Sequence, residues 1–171
     1  MKEIRIIQIA AIGLVIGGIF GIAGSFVPSA SLRGLFWGID GLGLVVASSL
    51  LTIYYFKKGF DLVATGFLIF AIGEGLILSG SGIEPETSIS SFGAGVSLWS
   101  AALLIISFQK MFPAVVRVLG IIAGVLFMWV AVVIFMGGSL NALTKPWPFY
   151  AYPFFALTIF GWAWTLLRSN R

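Results

Sequence analysis

The stretch IIQIAAIGLVIGGIFGIAGSFV, residues 6–27, runs for 22 positions without a charged side chain. A helix rises ~1.5 Å per residue and the hydrocarbon core of a bilayer is ~30 Å thick, so about 20 apolar residues are needed to cross it. The run meets that length. It also exceeds the ~7–15 apolar residues of a cleaved signal segment, and Ser29 to Ser31 make a weak cleavage site. The expectation is an uncleaved first membrane helix.

Outward from this run the same pattern recurs, giving six expected helices at about 5–27, 32–56, 60–82, 89–108, 113–137 and 148–167. Their breaks have local causes: Pro28 after the first, Lys57-Lys58-Gly59 after the second, a Gly, Ser and Pro-rich run at 79–88, Gln109-Lys110 before Pro113, and Gly137-Gly138 through Pro146. The chain is 60% hydrophobic and only 9% charged, against about 25% charged in soluble domains. A fold of 171 residues in water has too little interior to hide that surface. The expectation is an all-α membrane protein, a six-transmembrane-helix bundle that forms a single integral membrane domain over residues 1–171, in contact with the lipid bilayer.

Lys and Arg in short loops set the orientation of such a bundle. With the N-terminus in the cytoplasm, Lys2, Arg5, Lys57, Lys58, Lys110, Arg117, Arg168 and Arg171 lie inside and Arg33 and Lys145 outside, eight against two. Both termini are therefore expected to be cytoplasmic in a multi-pass protein of the cell membrane. The net charge of +4 sits singly at the ends of apolar segments, a placement that serves topology and headgroups, so nucleic acid is not an expected partner.

Cysteine and histidine are both absent. Their absence excludes disulfides, thiolate or imidazole metal sites, and Ser–His or Cys–His catalysis. An intramembrane aspartyl protease would want a Gly-x-Gly-Asp turn, where this chain has Trp37-Gly-Ile-Asp40-Gly. Lipid-diphosphate chemistry would want a DDxxD-type metal site, and no such run occurs. Neither an enzyme nor a cofactor nor a metal is expected.

In lipid, helices associate through close backbone approach and hydrogen bonds. Gly13, Gly17 and Gly21 recur every four residues in the first helix and Gly120 and Gly124 in the fifth, so both stripes are expected to pack helices. The first could alternatively dock a membrane protein partner or a second copy. A shift of 52 residues lays Gly41, Gly43, Ser48, Lys58 and Phe60 on Gly93, Gly95, Ser100, Lys110 and Phe112, which would make the second and fourth helices equivalent members of helical hairpins. Pro153 predicts a kink in the last helix or a late start to it. Trp147, Trp162 and Trp164 suit interfacial anchors.

A carboxyl group inside a bilayer costs several kcal/mol unless paired, protonated or wet, and so marks a candidate site. Asp40 and Glu74 lie about eight residues from the outer ends of their helices, or roughly 12 Å deep. Arg33, two turns outward of Asp40 with Trp37 between them, could cap a pocket above the two acids. Ser97 and Tyr152 fall at similar depth. These five residues form the expected binding site for a small-molecule ligand, with a structural role for the acids as the competing expectation.

In length, helix count and outward-facing polar residues, the chain resembles the substrate-binding membrane components of energy-coupling-factor vitamin transporters. The resemblance implies solute binding. Those proteins carry an Ala-x-x-x-Ala docking motif in helix one, where this sequence has Gly13, Gly17 and Gly21. The expected function is small-solute transport or ligand binding. The competing expectation is an accessory or scaffold subunit.

Overall fold

A computed structural model describes residues 2–80 and 85–168, with side chains over 4–80 and 88–168. Gly82 and Arg171, which the expected helix ends and charge pattern involve, lie outside the described residues. Every regular element among the described residues is helical: α1 Lys2–Phe26, α2 Ala30–Lys57, α3 Asp61–Gly80, α4 Pro85–Phe108, α5 Ala114–Phe135, a 3-10 turn Phe149–Ala151, and α6 Tyr152–Arg168. Six of these stretches are long and apolar enough to cross a membrane.

The helix ends differ from expectation for local reasons. Ser29 caps α2 by accepting a hydrogen bond from the Leu32 N–H at 3.4 Å, so that helix opens at Ala30. α5 stops at Phe135 because Gly137 turns the chain at a φ of +94° and the Gly138 N–H returns to the Val133 carbonyl at 2.9 Å. α6 begins late, at Tyr152, which puts Pro153 in the first turn where its missing N–H costs no helical bond. No kink is needed.

Neighbours in sequence are neighbours in space. Each helix from α1 to α5 packs on the next, and α6 closes the circuit by packing on both α5 and α1. The result is a six-helix ring with no helix along its axis, in which up-and-down order leaves both termini at one end. Glycines set the close crossings. A Cβ on Gly13 would stand 2.8 Å from the Gly43 carbonyl oxygen, and one on Gly43 would stand 2.9 Å from that of Gly13. Gly73 and Gly95 repeat this reciprocal contact between α3 and α4, at 2.9 and 2.8 Å.

The sequence echo between α2 and α4 thus has a physical counterpart: Gly43 and Gly95 each rest on a glycine of the preceding helix. In the fifth helix, Gly120 meets Ser107 and Gly124 meets Leu104, and the Ser100 hydroxyl crosses to donate to the Gly124 carbonyl at 2.8 Å. Gly13 and Gly17 are filled by α2 through Gly43, Ala47 and Leu44. The first two glycines of the α1 stripe therefore pack within the chain.

Aromatic rings fill the ring's axis. Near the terminal end Tyr55 stacks on Phe67 at 5.7 Å, and Trp162 meets Phe67 at 5.1 Å and Phe112 at 6.0 Å. Further along, Trp99 stacks on Phe155 at 4.6 Å, and Phe155 meets Phe127 at 5.5 Å. Trp162 is only 1% exposed, so it is a core residue and not the expected interfacial anchor. Trp164, two residues on and turned to the outside, is 68% exposed.

Candidate functional site

Toward the end opposite the termini, the aromatic filling gives way to a cavity of about 90 Å³. α1 contributes Gly17, Gly18 and Gly21, α2 contributes Trp37 and Asp40, and α3 contributes Glu74. Trp99 of α4, and Tyr152 and Phe155 of α6, complete its wall. Three of the five expected site residues, Asp40, Glu74 and Tyr152, therefore face one space although they belong to three different helices.

Glu74 is the most enclosed of them, 2% exposed, and its Oε2 has no hydrogen-bond partner among the described residues. The Trp99 indole N–H lies beside the same carboxyl group, and it too completes no hydrogen bond. A polar group left unpaired inside a protein costs about 1–3 kcal/mol. Glu74 Oε2 thus stands without a partner at the wall of a cavity.

Helical geometry explains how Glu74 reaches the interior. Gly73 closes against Gly95 and Trp99, while Gly75 points into open space. The two glycines thus do different jobs: one brings α4 close and the other lies on the outside of the ring.

Asp40 is half-buried and owes its room to α1. A Cβ on Gly21 would stand 2.8 Å from Asp40 Oδ2, so the third glycine of the α1 stripe shapes the site where the first two pack helices. The Ser25 hydroxyl, which also lines the cavity, donates to the Gly21 carbonyl at 3.1 Å. The Tyr152 ring is held edge-on to Phe127 at 5.6 Å.

Two expected residues lie elsewhere. Ser97 lines neither cavity and donates to the Ala94 carbonyl of its own helix at 2.7 Å. At 3.6 residues per turn it stands about 200° around α4 from Trp99, so a side chain facing inward at 99 turns 97 away. Arg33 lies above the cavity without closing on the acids. Its Nε and one terminal nitrogen donate to the Val27 carbonyl at 3.3 and 3.1 Å, and the same nitrogen reaches the Pro28 carbonyl at 3.3 Å. This caps the C-terminus of α1 and sets the guanidinium 5.9 Å from the centre of the Trp37 ring.

Arg33 instead borders an outer space of about 340 Å³ that reaches the surface at Ala30, Gly34 and Asn141. This vestibule and the inner cavity share Trp37, Ile77, Phe92 and Ala142. Those four side chains form the boundary between the outer space and the two acids. Trp99 and Phe92 went unforeseen in the sequence, although a tryptophan at mid-helix, far from either expected interface, is a usable signal.

Among the described residues, no three Asp, Glu, His or Cys side chains come together in a way that could hold a metal. No protein-family model matches the chain, nor does any curated protein or solved structure compared with it.

Proposed function

We propose that this chain is a multi-pass membrane protein, both termini cytoplasmic, that binds a small solute in the chamber around Asp40 and Glu74 and serves in its transport. The observation that carries this reading is the Glu74 carboxyl, 2% exposed, with an Oε2 that has no partner among the described residues, facing a cavity beside a second acid. Support for the orientation comes from the eight-to-two distribution of Lys and Arg, which makes the vestibule an outward-facing mouth. The aromatic column between the chamber and the terminal end closes the other route, as an outward-facing resting state requires. No catalytic step is proposed.

The accessory-subunit alternative would need a contact surface other than Gly13 and Gly17, which α2 occupies. A thermal-shift screen separates the surviving possibilities. The purified protein and the double variant Asp40→Asn, Glu74→Gln are melted against a panel of small cationic, anionic and neutral solutes. A bound solute raises the melting temperature by mass action. At least one class should raise that of the parent and leave the variant unmoved, with the variant itself folded. If no solute acts on the parent, or if the variant melts lower while the shifts persist, the acids only hold helices together.

A further inference from the structure

The chemistry of the chamber narrows the class of solute, taking as its premise that the chamber binds one. No Lys or Arg lines the inner cavity, whereas two carboxyl groups do. Arg33 borders the vestibule instead and directs its N–H groups to the Val27 and Pro28 carbonyls. An anion would find two acids and no counter-charge. A charge buried in an apolar setting needs a partner, and here the fold supplies none.

An inorganic cation would be poorly served as well. Hard cations such as calcium take about six to eight oxygen ligands with little carbon around them, whereas the side-chain oxygens of Asp40, Glu74, Ser25 and Tyr152 are set in a wall that is mostly carbon and aromatic: Trp37, Phe92, Trp99 and Phe155. That wall suits a cation whose charge is spread over carbon. Aromatic faces attract alkylammonium groups through the negative face of the ring, and carbon substituents lose nothing by leaving water for such surroundings.

We infer that the chamber takes a monovalent organic cation of the alkylammonium class, its charge met by Asp40 and Glu74 and its carbon substituents lying against Trp99, Tyr152 and Phe155. The inner cavity of about 90 Å³ holds a compact head. A longer substituent has to extend past Trp37 and Phe92 into the vestibule of about 340 Å³.

Equilibrium dialysis of the full-length protein in lipid nanodiscs tests this, with labelled tetramethylammonium as the cation and labelled tert-butanol as a neutral molecule of similar shape. Tetramethylammonium should be retained saturably, tert-butanol should not, and neither sodium nor acetate at equal concentration should displace the cation. Glu74→Gln and Asp40→Asn should each weaken retention about tenfold or more, the equivalent of ~1.4 kcal/mol. Ser97→Ala, which touches neither cavity, should retain it as the parent does. Where a variant gives no folded protein, the contrast between the two probes on the parent still decides.

Retention of tert-butanol or acetate that is lost in the Glu74 variant would overturn the cation class while leaving the chamber a binding site. Displacement of tetramethylammonium by sodium would overturn the organic class in the same way. Tetramethylammonium retention that neither acid affects would overturn the site along with its ligand, as would failure of every probe to bind.

Discussion

The interior of the ring is built two ways along its axis. Toward the termini α1 turns Ile7, Ala10, Ala11 and Leu14 inward, all 2% exposed or less, against a column of rings headed by Trp162, Phe67 and Phe112. Toward the opposite end Gly17, Gly18 and Gly21 of the same helix line a cavity that Asp40 and Glu74 also border. Six helices of similar apolar composition thus enclose a filled half and a hollow half. What separates the halves is the size of the side chains that meet on the axis. The filled half gains dispersion contacts at every ring, and the hollow half forgoes them around two acids whose burial has a cost.

The largest effect that sharpens this contrast comes from emptying the filled half. Trp162→Ala removes a ring packed on Phe67, Phe70 and Phe112, and it should cost about 3–5 kcal/mol of stability. Denaturant unfolding in detergent micelles measures it. A loss below about 1 kcal/mol would mean that the column is not tightly packed, and the two halves would not differ as described.

The next effect has the opposite sign. Glu74→Leu keeps nearly the same volume and removes a carboxyl oxygen that finds no hydrogen-bond partner. Stability in the same unfolding assay should rise by about 1–2 kcal/mol. A fall would show that the carboxyl holds the bundle together, and the hollow half would then be structural.

Much of this architecture is legible from residues alone. Each of the six spans is an apolar run with a visible stop, and α1 packs on α2 through the glycine spacing that lipid makes necessary. The depth of Asp40 and Glu74 follows from counting along their helices, because the rise per residue is fixed. The fate of a tryptophan does not follow in the same way. Trp162 and Trp164 stand two residues apart, one at the core and one facing out, and only the rotation of α6 about its own axis decides between them. Ser97 stands away from both cavities for the same reason, because depth along a helix leaves azimuth open. The cavity itself is a property of five helices at once, and no local pattern spells it.

Gly21 was legible by a route that spacing within α1 hides. The short connection 27–29 makes α1 and α2 a hairpin, so a step of three residues back along α1 matches a step of three residues on along α2. Gly24 accordingly meets Trp37 and Gly21 meets Asp40. From this pairing comes the smallest effect. Gly13→Ala drives a methyl group to within 2.8 Å of the Gly43 carbonyl oxygen and 3.1 Å of Ala47 Cβ; backbone cannot step aside, and overpacking of this kind costs about 1–3 kcal/mol. Gly21→Ala meets only the far end of the Asp40 side chain, which can rotate away, so its cost should stay below about 0.5 kcal/mol, as at ordinary surface sites. The rotated carboxyl no longer faces the chamber, however, and the solute-dependent rise in melting temperature should shrink. Unfolding and thermal-shift measurements on the two variants together check the point. If both glycines proved equally intolerant, Gly21 would be one more packing residue and the α1 stripe would have a single role. If both proved equally harmless, neither crossing would be as close as drawn.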